Sequence, residues 1–283
     1  MTKKQRTNFL KKIILNMFFI TLIFITLIPI LYAVSVSFNS VNTLVSSNFS
    51  FIPDKFTLSN YKSLFVDYPM LTWFKNSLIL SISTLMFALG VSIPAAYGFS
   101  RMKFKGRKSI FQSSILLNAF PTILSMFAIW RLMSNDTISL VNTKIGLVLI
   151  YTGTMIIFGI MNMKGYFDSI PIAIEEAAKI DGANDFQVIW RIVLPLAKPS
   201  IIVTGMMILI YVWNEYIYSI TFMTGEENFT LAAGLYSLQA GETSGSWPIF
   251  SAAALITSVP VLIIFLLAQK HMVSGLTVGG VKS

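Results

Sequence analysis

The stretch SIPIAIEEAAKIDGANDFQVIWRIVLP, Ser169 through Pro195, decides how the rest of the chain is read. It lies between two strongly apolar runs, yet it has the grammar of ordered structure. Ser169 can cap a helix with Pro171 in its first turn, where a missing amide donor costs nothing. Pro171–Ile180 is rich in helix formers, and Glu175 and Glu176 sit near the positive end of the helix dipole. Gly182 can stop that helix, because glycine tolerates the left-handed φ of a C-terminal cap. Asn184 opens a second helix, and Gln187 three residues later completes a capping-box pair. Phe186, Ile189, Trp190 and Val193 fall at i, i+3, i+4 and i+7 and predict one apolar face. Pro195 and Pro199 are expected to end the element. The stretch predicts two short helices joined by a turn at Asp181–Ala183.

The flanks place this pair. The chain has 283 residues, 55% hydrophobic and 12% charged, against about 25% charged in soluble domains. That composition argues against a water-soluble globular enzyme, and its hydrophobicity argues against disorder. A span needs about 20 mostly apolar residues. Six stretches qualify: Ile13–Val36, Asn76–Phe99, Ile110–Leu132, Ile145–Tyr166, Ser200–Met223 and Pro248–Gln269. The first follows Lys3, Lys4, Arg6, Lys11 and Lys12 as a signal peptide would. Its apolar run is too long for one and ends without a clean small-residue cleavage site, so it reads as a retained span. The expected fold is an all-α membrane protein, a single transmembrane domain over residues 1–283, with the helix pair at 167–199 between spans four and five. Pro29, Pro94, Pro121 and Pro260 lie inside expected spans, where each either kinks its helix or is accommodated by neighbours.

Orientation follows from the basic residues, which favour the cytoplasmic side. Sixteen of the 21 Lys and Arg lie at the N-terminus, at Arg101–Lys108, in the loop after the fourth span, or in the C-terminal tail. Both termini and the helix pair are then expected to be cytoplasmic. The loop Glu226–Trp247 carries three Glu and no Lys or Arg, as an outside loop would. The net charge of +9 thus reads as topology rather than as affinity for nucleic acid. The helix pair is acidic, with Glu175, Glu176, Asp181 and Asp185 against Lys179 and Arg191. Surface-lying amphipathic helices are usually basic, so a protein partner is the favoured reading and packing on the bilayer surface the other.

Glu176-Ala177-Ala178, Gly182 and Ile192-x-Leu194-Pro195 together reproduce an EAA-x3-G-x9-I-x-LP signature. With Asn76-Ser77, Ala96-Tyr97-Gly98-Phe99-Ser100-Arg101, Phe120-Pro121, Lys164-Gly165-Tyr166-Phe167 and Gly275–Lys282, the chain resembles the MalG-type permease subunits of binding-protein-dependent ABC sugar importers, the maltose/maltodextrin-like EAA-loop family. The resemblance covers about residues 10–283. It implies a multi-pass protein of the bacterial inner or plasma membrane, paired with a second related permease subunit. It also implies two ATPase subunits, which hold the ATP and Mg, and an extracellular solute-binding protein. Coupling to the ATPase would fall on Glu175, Glu176, Ala177, Ala178, Asp181, Gly182, Leu194 and Pro195. A second ATPase contact would fall on Gly279, Gly280, Val281 and Lys282. In one respect the chain departs from the maltose type: its first external loop, about Ser37–Lys75, is shorter. The resemblance therefore fixes the family better than the sugar.

The chain is not expected to bind nucleotide itself. A phosphate-binding loop needs Gly-x4-Gly-Lys-Ser/Thr leading into a helix, whereas Val281 separates Gly280 from Lys282. With no Cys and one His, neither a thiolate metal site nor a catalytic triad is expected, and no metal site is assigned. An embedded enzyme is therefore disfavoured. A self-sufficient secondary transporter is disfavoured too, since the spans hold one acid, no paired base and no clear repeat. That acid is Glu215. Intramembrane charges are functional candidates by default, and Tyr211, Asn214, Glu215 and Tyr218 share one helical face. The stripe offers hydroxyl hydrogen bonding and ring stacking to a sugar. Packing between permease subunits and snorkelling of Glu215 are the alternatives. Asn118 and Tyr151 are weaker candidates.

Overall fold

In hydrocarbon every backbone polar group must be satisfied within the chain, so long apolar runs fold as helices. The structure, a computed structural model, describes residues 3–41, 51–135, 139–240 and 246–279. The described elements are α1 (Lys3–Ser37), α2 (Ser59–Val66), α3 (Met70–Arg101), α4 (Arg107–Asn118), α5 (Thr122–Met133), α6 (Lys144–Ser169), α7 (Ile172–Ile180), α8 (Asp185–Val188), α9 (Leu194–Asn214), α10 (Ile217–Phe222), α11 (Leu231–Ala240) and α12 (Trp247–Gly279). Among the described residues, five helices are long and apolar enough to cross a membrane, or six spans if α4 and α5 form one.

Two of the expected spans are not single helices. Ile110–Leu132 is broken between α4 and α5, which meet at 97°. Pro121 precedes α5; it lacks an amide hydrogen and disfavours helical φ/ψ at the residue before it. Ser200–Met223 is broken at Glu215, whose backbone is extended. The fifth span also begins earlier than expected, because helix runs without a break from Asp185 to Asn214. Pro195 and Pro199 therefore do not end the element, contrary to the sequence expectation. Pro195 sits in the first turn of α9, directly after a π-helical turn at Ile189–Val193. That wider turn relaxes the i→i−4 ladder where a proline has no donor to give. Pro29, Pro94 and Pro260 likewise lie inside continuous helices.

The chain divides into two compact units, Met1–Pro69 with Leu235–Ser258, and Met70–Gly234 with Val259–Ser283. In the first, Asn60 Nδ2 donates to Ser37 O at 2.8 Å and Asn39 O at 2.9 Å, tying α2 to the end of α1. Leu64, Ala252 and Ala253 form its small apolar core.

The second unit is built on α3, α6 and α9. The buried stripe of α3 is mostly small or polar: Asn76, Ser77, Ser81, Thr84, Ala88, Ser92 and Ala96. Large apolar side chains such as Leu71, Met86 and Phe87 point outward. Small residues let membrane helices approach closely, where packing replaces the hydrophobic effect. At Gly159 of α6, a Cβ would stand 2.5 Å from Ser92 Oγ, and that hydroxyl donates to Ile156 O at 3.2 Å. Asn162 Nδ2 donates to Thr204 Oγ1 at 2.6 Å, joining α6 to α9.

One rim of this unit is pinned by side chains of α3. Trp73 Nε1 donates to Glu226 O at 2.7 Å, and Asn76 Nδ2 donates to Glu227 O and Phe229 O, each at 2.9 Å. Leu231 N donates to Ser77 Oγ at 2.8 Å. Any Cβ on Gly234 would enter the Trp73 indole, so glycine is required there.

Candidate functional site

The helix pair is made by local capping. Pro171, rather than Ser169, immediately precedes α7; Ser169 closes α6 and donates to Tyr166 O at 2.6 Å. At the far end of α7, Gly182 has φ +89°. Ala183 N reaches Ala178 O at 3.0 Å and Gly182 N reaches Lys179 O at 3.1 Å, the paired bonds of a Schellman cap. Asn184 and Gln187 form the reciprocal capping box, with Gln187 N donating to Asn184 Oδ1 at 2.9 Å and Asn184 N donating to Gln187 Oε1 at 3.0 Å. Lys179 Nζ meets Asp185 Oδ1 at 2.7 Å across the turn, and this bond holds the ammonium above the ordinary lysine range.

The expected apolar face of the second helix is only partly the buried one. Phe186 and Trp190 are 69% and 58% exposed and lie against each other, ring centroids 5.7 Å apart. Of the expected face Val193 is buried and Ile189 half-buried, and Val188 and Ala197 complete the buried stripe in place of Phe186 and Trp190. The π turn explains the shift: its extra residue makes the inward stripe run i, i+5, i+9 rather than i, i+3, i+7. These residues pack with Ala96, Met163, Phe167 and Ile170 beneath α7.

The coupling candidates separate by exposure. Glu176, Ala177, Asp181, Gly182 and Pro195 face outward; Ala178 and Leu194 are half-buried against the apolar cluster. Glu175 is turned inward and 5% exposed. Its Oε1 accepts from Arg101 Nε at 2.6 Å and its Oε2 from Tyr97 OH at 3.0 Å. Ile172, Ile174, Ile180, Phe186 and Trp190 add an exposed apolar component to the surface of the pair. Gly279 is the last residue of α12; Gly280, Val281 and Lys282 lie outside the described residues.

The second candidate region surrounds Glu215. Although α9 ends at Asn214, the four residues expected on one face still line one cavity of about 430 Å³: Tyr211, Asn214, Glu215 and Tyr218, with Thr122 and Met126 of α5 opposite. Glu215 Oε2 accepts from Tyr151 OH at 2.7 Å, and its Oε1 accepts from Tyr218 N at 3.0 Å, capping α10. The rings of Tyr211 and Tyr218 stand edge-on to Tyr151, centroids 6.5 and 6.2 Å away. Asn214 bonds back to Ile210 O at 2.8 Å. A neighbouring cavity of about 380 Å³ shares Thr122 and Tyr218 and adds Asn118, Ser125 and Thr154. Within a mostly apolar lining, the two cavities present hydroxyls, the amides of Asn118 and Asn214, the Glu215 carboxylate and tyrosine rings.

Residues 88–277 match the family described as the binding-protein-dependent transport system inner membrane component. The chain belongs to that family. The galactooligosaccharides transport system permease protein GanQ of Bacillus subtilis (strain 168) is 37% identical over 90% of this chain and 89% of its own. The maltodextrin transport system permease protein MalD of Streptococcus pneumoniae (strain ATCC BAA-255 / R6) is 32% identical over 98% of this chain and 95% of its own. A solved bacterial ABC transporter involved in the import of the acidic polysaccharide alginate shares the fold. Its TM-score is 0.75 over 95% of this chain and 98% of that chain, at 23% identity.

This inner-membrane component is therefore a multi-pass membrane protein. Four of its polar residues escaped sequence reasoning as site members. Arg101 and Tyr97 lie more than seventy positions before Glu175, and no local spacing pairs residues across that distance. Thr122 and Ser125 line the cavities from the first turn of α5, directly after the break at Pro121.

Proposed function

We propose that this chain is a non-catalytic permease subunit of an ABC importer for oligosaccharides, most closely of the maltodextrin type. In this reading a second, related permease completes the pathway and an extracellular binding protein delivers the sugar. Two copies of a separate ATPase hold the ATP and Mg and drive the cycle. Both termini and the α7–α8 pair face the cytoplasm, as the distribution of basic residues suggests. The pair docks on the ATPase through Glu176, Ala177, Asp181 and Gly182, with Phe186 and Trp190 beside them. Residues 279–282 form a second contact.

The observation that carries the sugar assignment is the tyrosine-lined cavity around Glu215 in a chain 32% identical, over 98% of its length, to a maltodextrin permease. A galactooligosaccharide substrate is the second reading, favoured by the 37% identity to GanQ. Uptake of radiolabelled maltotriose and of a labelled β-galactooligosaccharide, in cells with and without this chain, tests the choice. Loss of maltotriose uptake alone on deletion supports the first reading; loss of galactooligosaccharide uptake alone supports the second. Unchanged uptake of both contradicts an oligosaccharide function.

A further inference from the structure

The acidic helix α7 is fastened to the transmembrane helices by one buried ion pair. Arg101 and Glu175 side chains are 10% and 7% exposed. Arg101 makes three hydrogen bonds through its rigid planar fork: Nε to Glu175 Oε1 at 2.6 Å, Nη2 to Ile170 O at 2.8 Å and Nη1 to the adjacent Ser100 Oγ at 3.2 Å. Guanidinium geometry suits such simultaneous bonding. Ser100 Oγ donates in turn to Asp168 Oδ1 at 2.6 Å, and Lys164 Nζ holds the other carboxylate oxygen at 2.6 Å. Tyr97 both donates to Glu175 and stands edge-on to Phe167 of α6. The last turn of α3, the last turn of α6 and the first turn of α7 are thus cross-linked at a single point.

We propose that Arg101 and Glu175 form a positioning joint that makes α7 move as one body with α3 and α6. The inference rests on reading the chain as a permease driven by a separate ATPase, and it adds the element through which the drive reaches the spans. Displacement of α7 is passed to α3 and α6, which are packed together at Ser92 and Gly159. Seventeen residues back along α6 from Asp168, about 26 Å at 1.5 Å per residue, Tyr151 holds Glu215 in the cavity. Glu175 therefore acts within the subunit, while Glu176 faces the partner. Removing one member leaves the other charge buried and unpaired, and the tie between α7 and α3 is lost.

The test uses the complete transporter in nanodiscs and proteoliposomes, with Glu175→Gln, Arg101→Gln and the double variant. Because the chain has no cysteine, spin labels can be placed on Ala173→Cys in α7 and Val91→Cys in α3. The joint predicts a narrow label–label distance distribution that broadens in each variant. Uptake per ATP hydrolysed falls about tenfold in each single variant, within the range of coupling networks. The double variant falls no further, because two residues acting as one unit are non-additive. Tyr97→Phe, which keeps the ion pair, gives a smaller fall. Unchanged distance distributions, an unchanged uptake-to-ATP ratio, or multiplied losses in the double variant would each overturn the proposal. The distance readout needs no ATP hydrolysis, so the joint can fail while the importer reading stands, and the reverse.

Discussion

Tyr151 donates its phenolic proton to Glu215 across 2.7 Å, in the interval between α9 and α10. The same carboxylate caps α10 at Tyr218 N, so one side chain closes a helix end and holds the phenol of Tyr151. Tyr151→Phe should remove one hydrogen bond and leave the cap, costing about 1 kcal/mol. Glu215→Ala leaves both donors unsatisfied and should cost about 1–3 kcal/mol. Thermal unfolding of the purified subunit checks the order. If the cavity receives sugar, Glu215→Gln should raise the KM for uptake with less effect on stability than Glu215→Ala.

At the α3–α6 crossing, Gly159 leaves no room for a side chain against Ser92. Gly159→Leu should force the helices apart, at about 1–3 kcal/mol for overpacking. Gly153, with open space around its Cβ position, should accept alanine without measurable loss. Equal melting temperatures for Gly159→Leu and Gly153→Ala would contradict the close packing.

At the turn of the helix pair, Gly182→Val places a β-branched residue at φ +89°, where an L-residue costs roughly 1–2 kcal/mol. Glu176→Lys reverses an exposed charge. Both variants should insert normally in the membrane yet hydrolyse ATP without matching uptake. Transport-coupled ATPase activity at the level of the unmodified protein in both would reject docking through this surface.

The Lys179–Asp185 bond ties the two helices across that turn. Its ammonium is held above the ordinary value of 10.5 by the hydrogen bond to Asp185. A raised folded-state value means that the bond contributes fully below the ordinary lysine value and is lost as pH climbs through the raised one. Amide exchange at Gly182 and Ala183 should therefore be faster in Lys179→Met than in the unmodified chain across neutral pH. From neutral pH upward the difference should close only under strongly alkaline conditions; a difference that closes at neutral pH contradicts the pairing.

What the sequence made legible was local. The left-handed Gly182, the Asn184–Gln187 box and the apolar spans depend on residues within a few positions of one another, so spacing alone reveals them. Val193 was legible as a buried position, but its companions Val188 and Ala197 were not, because a single π turn breaks the 3.6-residue period on which the expectation rested. The break at Pro121 was visible as a proline; the 97° bend depends on what α5 packs against. Arg101 and Glu175 meet through tertiary structure. No pattern short of the fold connects them, and the same holds for Tyr151 and Glu215.

The most direct test of the central claim is sugar uptake by proteoliposomes holding this chain and its partner permease. The assay is run with and without the ATPase subunits and the binding protein. The account predicts uptake only when both are present and ATP is hydrolysed, with none driven by an ion gradient. Accumulation of sugar by the permease pair alone, down an imposed proton or sodium gradient, would contradict it.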